Sequence, residues 1–311
     1  MGNRARRPLS HSVKSTTLNT EKRNPRTRGI DRLATREMMR AMNREDAGVA
    51  QAVERAIPQI AQAVEVIAEA LRNGGQLIYV GAGTSGRLAA LDAAECPPTF
   101  GVPREMVVAL IAGGERALTQ AVEGAEDNAV AGARDLRRVK CSNRDVVVGL
   151  TASGGTPYVL GALEAARRAG ARTVAVTCNR DTAVAKAAEI AIVAETGPEA
   201  IAGSTRLKAG TAQKLILNML STAAMIRLGR VYDNWMAGVA QTNQKLRARA
   251  IGILRGTTGM REATARKVLA AARGDLRIAL VMLKRRVTRE QAEFALAAAG
   301  GDIRSAVGER R

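Results

Sequence analysis

At 311 residues and 46% hydrophobic side chains, the chain has room for one large α/β domain with a small appendage and falls outside disordered or fibrous compositions. Aromatics make up 2% of it, so Ala, Val, Leu and Ile must fill the core, and no apolar run reaches the roughly 20 residues of a bilayer span. The formal charge of +19 invites a nucleic-acid reading, but a groove-reading helix and interleaved aromatics are both missing, which argues against nucleic acid as the main partner.

In chain order, residues 1–28 form a basic stretch that is expected to be a disordered tail. Arg4, Arg6, Arg7, Lys14, Lys22, Arg23, Arg26 and Arg28 there face only Glu21. The pattern then predicts a helix over Thr35 to Arg44 and a longer one over Gly48 to Arg72, broken or bent near Pro58 and stopped at Asn73-Gly74-Gly75. A strand–loop–helix theme follows. Gln76 to Val80 leads through Gly81-Ala82-Gly83-Thr84-Ser85-Gly86-Arg87 to a helix from Leu88. Asp145 to Leu150 leads through Thr151-Ala152-Ser153-Gly154-Gly155-Thr156 to a helix from Pro157. Met106 to Ile111, Thr173 to Thr177 and Ile190 to Val193 read as further strands. Short strands alternating with helices predict an α/β fold, a parallel sheet covered on both faces. A long helix over Lys208 to Leu228 comes next, then a turn reaching Gln241-Thr242-Asn243. Three short helices follow, over Arg261 to Ala272, Leu276 to Lys284 and Arg289 to Ala298. The expected organisation is a tail over 1–28, a catalytic domain over 29–249 and a small three-helix domain over 250–311.

Cys96, Cys141 and Cys178 are odd in number and widely spaced, which supports neither a disulfide framework nor a zinc site and fits reduced thiols in the cytoplasm. The first loop satisfies G-x-G-x-x-G, so a dinucleotide site has to be weighed. Its acidic partner is misplaced: Glu105 precedes the second strand and Glu115 follows its end. Thr84 and Ser85 instead suit the oxygens of a terminal phosphate, as do Ser153 and Thr156 at the start of the second helix. Two such loops at the carboxyl ends of parallel strands point to a monophosphorylated small molecule, while ordinary turns and helix caps favour the same residues.

The single histidine, His11, lies in the basic tail, so proton chemistry falls to carboxylates. Glu95 sits just before Cys96-Pro97-Pro98, which is expected to end its helix; the negative end of the dipole would favour a protonated carboxyl there. Leu118 to Leu136 reads as one helix with an apolar stripe at Leu118, Val122, Ala125, Ala129 and Leu136, and with Gly132 on the same face. At about 100° per residue, Glu126 lies roughly 80° from the stripe's centre, Glu123 roughly 140° and Asp127 roughly 180°. Glu126 is thus a half-buried base candidate, with a solvated helix flank as the alternative.

These residues form a recognisable set. Gly81 to Arg87, Glu95 to Phe100, Ala121 to Asp127, Ser153 to Tyr158 and Gly203 to Lys214 resemble, in order, the blocks of the N-acetylmuramic acid 6-phosphate etherase family. Asn24 to Glu37 and Thr242 to Leu246 also look like family positions, so the similarity runs from about residue 20 to the C-terminus. The resemblance implies a sugar-isomerase-type (SIS) domain followed by a small helical domain, a homodimer, a sugar-phosphate substrate and no metal or organic cofactor. It also implies Glu95 as proton donor and Glu126 as second acid/base. Gly83, Thr84, Ser85, Gly86, Ser153, Gly154, Thr156, Ser204, Thr205 and Lys208 are the expected substrate- and phosphate-binding positions. The implied reaction eliminates D-lactate from C3 and adds water to give N-acetylglucosamine 6-phosphate. Gly155 departs from the family, which commonly has Arg there; Arg87, Arg206, Lys208 or Lys214 are candidate replacements for that cation. Two rival functions use the same fold, an aldose–ketose isomerase and a non-catalytic sugar-phosphate sensor. A third reading, nucleic-acid binding through the tail, would be steeply salt-dependent.

Overall fold

The computed structural model describes residues 18–239 and 244–309. The expected tail over 1–17 with His11, the turn at Gln241-Thr242-Asn243 and the last two residues lie outside the described residues. The chain enters through short 3₁₀ turns at Asn19–Glu21, Pro25–Thr27 and Ile30–Arg32. Three helices follow: α1 (Thr35–Asp46), α2 (Val49–Glu54) and α3 (Ile57–Arg72). The break expected near Pro58 falls at Arg55-Ala56. Pro58 itself occupies the first turn of α3, where a missing N–H loses no helical bond.

The alternating half runs β1 (Leu77–Gly81), α4 (Gly83–Phe100), β2 (Val107–Ile111), α5 (Arg116–Thr119), α6 (Ala129–Arg138), β3 (Val146–Leu150) and α7 (Pro157–Arg168). It continues through β4 (Arg172–Thr177), α8 (Ala183–Ala187), β5 (Ile190–Val193) and α9 (Lys208–Arg227). The remainder is helical: α10 (Gln244–Thr258), α11 (Glu262–Ala271), α12 (Leu276–Arg285), α13 (Arg289–Ala298) and α14 (Ile303–Val307).

All five strands pair in parallel, in the order β2-β1-β3-β4-β5. Alternate strand residues feed two cores. Leu77, Tyr79, Val148, Leu150, Val174 and Ile192 pack with α3, α4 and α9, whereas Ile78, Val80, Val147 and Ala175 pack with α6, α7 and α8. Every residue of β1 and β3 is buried, which is why these strands read as unbroken apolar runs. On the second face α6 and α7 meet closely. A Cβ on Gly132 would stand 1.9 Å from the Tyr158 carbonyl oxygen, and one on Gly161 would stand 2.1 Å from that of Ala129.

The chain leaves β1 toward β2 on one side and β3 joins β1 on the other, so the order reverses between β1 and β3. Open α/β sheets bind ligands at that switch point, outside the carboxyl ends of the strands. Gly81 pairs with Leu150, so the two hydroxyl-bearing loops leave the sheet side by side.

A separate core, from Tyr232 and Val239 through Leu246, Leu254, Leu280 and Leu296 to Ala306, joins α10 to α14. The expected three short helices are present as α11, α12 and α13; α10 and α14 add to them, and residue 250 falls inside α10. Residues 18–28, placed in the basic tail by charge alone, are part of the fold: Thr20, Asn24 and Thr27 are buried.

Candidate functional site

Two expectations about the local frame are corrected. The helix after β1 starts at Gly83 rather than Leu88, so Gly83, Thr84, Ser85 and Gly86 form its first turn. It also runs through Pro97 and Pro98 to Phe100 and stops at Gly101, whose φ of 61° and N–H bond to the Pro97 carbonyl make the cap. Two prolines remove only two amide donors near the helix end, and Cys96 and Phe100 are anchored in the core. Glu95 therefore lies more than a turn before the helix end, and the expected dipole argument for its protonated form does not apply.

The second correction concerns Leu118 to Leu136, which is not one helix. α5 ends at Thr119, a 3₁₀ turn spans Ala125–Asp127, and α6 begins after Asn128, whose side chain accepts the Ala131 N–H at 2.9 Å. A helical wheel drawn across that break has no meaning. Glu126 sits on the 3₁₀ turn and is exposed, as is Glu95. The turn packs against α7, the helix that opens from the second loop.

At the switch point the first loop, the second loop and the approach to α9 build one cluster. Ser85 is buried and its hydroxyl donates to Gln213 Oε1 at 2.9 Å, tying α4 to α9. The Thr84 methyl and the Thr205 carbonyl flank Gly210 from two sides, within 3.4 and 3.6 Å of where a Cβ would stand. Ser204 and Thr205 form the turn leading into α9, with the Leu207 N–H on the Ser204 carbonyl at 3.2 Å. Gly86 is buried against Ile111, and Gly83 is exposed.

The second loop turns on Thr151. Its hydroxyl shares hydrogen bonds with Thr156 Oγ1 at 2.7 Å and Ser153 Oγ at 3.2 Å, and accepts the Gly154 N–H at 3.2 Å. Gly154 has φ 79°, and any Cβ there would sit within 2.4 Å of the Thr182 side chain. Ser153, Gly154 and Thr156 thus lie together at the carboxyl end of β3, beside the first loop.

Lys208 is placed differently from expectation. Its side chain is 2% exposed and its Nζ donates to Glu45 Oε2 at 2.9 Å, so it serves a buried ion pair rather than an incoming phosphate. Glu45 also accepts from Asn24 at 2.7 Å and from Arg26 at 2.5 and 2.8 Å. Arg26 foremost, with Lys208 and Asn24, holds the Glu45 carboxyl down at about 2 against the cost of burial. The buried Glu199 accepts the Lys208 and Ala209 N–H groups at 2.9 and 3.0 Å, capping α9 from outside its own turn, while burial pushes its carboxyl upward.

Sequence reasoning did not single out Glu45, Glu199, Gln213 or Asn179. The family-like Asn24 to Glu37 stretch was the available signal that the chain is already folded before residue 28. Of the proposed substitute cations, Arg87 is committed to the carbonyls of Ala117, Leu118 and Gln120 at 3.0 to 3.2 Å, and Lys214 donates to Asn218. Arg206 is exposed. Deeper along α4, buried Asp92 accepts from Tyr79 and Ser221 at 3.0 and 3.1 Å, and burial raises its pKa. Among the described residues, no three His, Cys, Asp or Glu side chains converge as a metal site requires, and no helix is long and apolar enough to cross a membrane.

Comparison with known proteins identifies the domain and the family. Residues 59–167 match the glucokinase regulatory protein N-terminal SIS domain, and residues 129–223 match the SIS domain. The N-acetylmuramic acid 6-phosphate etherase of Mycolicibacterium smegmatis is 53% identical over 94% of this chain and 98% of its own length. The N-acetylmuramic acid 6-phosphate etherase 2 of Vibrio cholerae is 51% identical over 97% of this chain and 96% of its own. A solved phosphoheptose isomerase from Neisseria gonorrhoeae, 19% identical, aligns with a TM-score of 0.48 over 61% of this chain and 98% of its own. Identity of this extent, end to end, leaves one conclusion: the chain belongs to the N-acetylmuramic acid 6-phosphate etherase family.

Proposed function

We propose that this protein cleaves the D-lactyl ether of N-acetylmuramic acid 6-phosphate in the cytoplasm, as a carbon–oxygen lyase of amino-sugar and cell-wall recycling. The observation that carries the reading is the pair of hydroxyl-bearing loops side by side at the β1/β3 switch point, in a chain about half identical to etherases along its length. Thr84, Ser153, Thr156, Ser204 and Thr205 offer hydroxyls to a phosphate there, and the first turn of α4 offers N–H groups and a favourable dipole.

Chemistry begins in the open-chain sugar, where C2–H lies beside an aldehyde. A carboxylate, assigned to Glu126, removes that proton. The C3–oxygen bond then breaks as Glu95, in its acid form, protonates the departing lactyl oxygen, since an unprotonated alkoxide leaves poorly. Water adds at C3 and returns a proton to the aldehyde-conjugated C2, giving N-acetylglucosamine 6-phosphate and D-lactate. Each carboxyl contributes about 10²- to 10⁴-fold by acid–base assistance.

Helix geometry sets a condition on this assignment. Glu95 is twelve residues beyond Gly83 on α4, so it lies about 18 Å along the helix from its own first loop. A five-residue strand such as β1 spans only about 17 Å. Glu95 therefore stands toward the amino end of its own sheet, while Glu126 stands beside α7. We assign the activity to a symmetric dimer in which one copy's α4 reaches the partner's loops. Purified protein mixed with N-acetylmuramic acid 6-phosphate should release D-lactate in step with substrate loss. Conversion to a ketose phosphate without lactate would favour an isomerase instead.

A further inference from the structure

We propose that Arg180 is a substrate-binding residue: the cation that holds an anionic oxygen of the sugar phosphate over the side-chain-free rim at Gly155. The inference rests on the etherase reading above and adds to it a residue that the motifs do not contain.

A cavity of about 300 Å³ opens against the outer face of the second loop, lined by Ser153, Gly154 and Gly155 together with Arg180 and the carboxylates Asp181 and Glu195. A Cβ at Gly155 would meet nothing closer than Ser153 Oγ at 3.9 Å, so the second-loop side offers a hydroxyl and backbone but no cation, and the facing side carries Asp181 and Glu195 beside Arg180. An anion with a full negative charge needs a cation here. Arg87 and Lys208 are committed to carbonyls and to Glu45.

Arg180 is differently placed. Its Nε donates to Glu195 Oε2 at 2.6 Å, which fixes the plane of the guanidinium. Its Nη groups have no hydrogen-bond partner among the described residues, and the side chain is 73% exposed. Two donors at the end of a planar fork match a phosphate or carboxylate edge.

The backbone under Arg180 is fixed to the second loop. Buried Asn179 donates through its amide to the Ala152 carbonyl at 3.0 Å and to Thr20 Oγ1 at 3.0 Å, and its own Oδ1 accepts the Asn19 N–H at 2.8 Å. The Cys178 N–H bonds the Ala152 carbonyl, and the Val184 N–H bonds that of Gly154. Asp181 turns the chain with φ 56°, a left-handed conformation that a non-glycine residue holds only under constraint from its surroundings. The guanidinium thus rides on a loop whose position follows that of Ser153 and Gly154. Preorganisation of this kind lowers the ordering cost of binding.

The test is steady-state kinetics of D-lactate release, with calorimetric titration of N-acetylglucosamine 6-phosphate, on wild type, Arg180→Ala, Arg180→Ala with Gly155→Arg, and Lys186→Ala. Loss of a charge-assisted pair predicts a KM raised about tenfold or more in Arg180→Ala, with kcat changed less than about twofold. Restoring a cation across the same cavity with Gly155→Arg should recover most of that loss. Lys186 borders the neighbouring cleft at the β5 edge but not this cavity, so its removal should leave KM unchanged. If product affinity falls with KM, the anion held is the phosphate; if product affinity is kept, it is the lactyl carboxylate. An unchanged KM in Arg180→Ala would overturn the assignment. Absence of lactate release from wild type would instead overturn the etherase reading beneath it, so the two failures are distinguishable.

Discussion

Carboxylates occur in two settings in this protein, and the contrast explains how it is built. Around the start of α9, Glu45 and Glu199 are buried, fully hydrogen-bonded and tied to Lys208, Arg26, Asn24 and backbone amides. By contrast, Glu95 on α4 and Glu126 on the turn before α6 are exposed. The first pair lies in a region that must hold still, since it fixes the chain carrying Ser204 and Thr205 against the first loop. Among the described residues the second pair has no side-chain hydrogen bond or ion pair, as suits groups proposed to exchange protons with a ligand. Replacing either kind should therefore give opposite phenotypes, activity without stability or stability without activity.

The largest expected effect falls on the exposed pair. Glu95→Gln and Glu126→Gln should each lower kcat by about 10²- to 10⁴-fold with a melting temperature close to wild type, as measured by lactate release and thermal unfolding. A large drop in melting temperature would merge the two classes. In the frame, Glu45→Gln should destabilise by about 3–5 kcal/mol in denaturant unfolding, because it leaves the Lys208 ammonium buried without its counter-charge.

Acid sharpens the same difference. The folded Glu45 carboxyl, at about 2, lies below the ordinary value of 4.5, so its contribution is fully present above pH 4.5 and is lost as pH falls toward 2. The stability gap between wild type and Glu45→Gln should accordingly narrow across that window. A smaller effect, away from both settings, is expected at the α6–α7 contact. Gly132→Ala drives a methyl into the Tyr158 carbonyl and should cost about 1–3 kcal/mol without changing KM.

Much of this was legible in the sequence because local rules carried it. Strands with unbroken apolar runs were placed to within a residue, β5 and α13 match their expected limits and α7 its expected start, since Pro157 and Thr288 mark helix starts with little competition. Two parallel strands followed by hydroxyl-bearing loops also led to the switch point, where the loops lie side by side. What sequence periodicity could not supply was anything decided by a distant partner. Glycines at 83 and 86 argued for a loop, yet packing on Ile111 and the Ser85–Gln213 bond make them helix. Prolines at 97 and 98 argued for a stop, yet the core anchors at Cys96 and Phe100 carry the helix past them. Net charge marked residues 18–28 as a tail, although Asn24 and Thr27 find their partners more than 170 residues away, at Pro198 and Ala200. Lys208 read as a phosphate ligand because the sequence does not reveal Glu45 beneath it.

The most direct measurement mixes two inactive proteins. Glu95→Gln and Glu126→Gln, unfolded together and refolded, would in the proposed dimer give mixed pairs in which one of the two sites regains both wild-type glutamates if those glutamates come from different copies. Lactate release should then recover to about a quarter of the wild-type rate for random pairing in a symmetric dimer. No recovery, with mixed dimers demonstrated by mass, would mean that the two carboxyl groups do not meet across an interface, and the assignment of acid and base would fall with it.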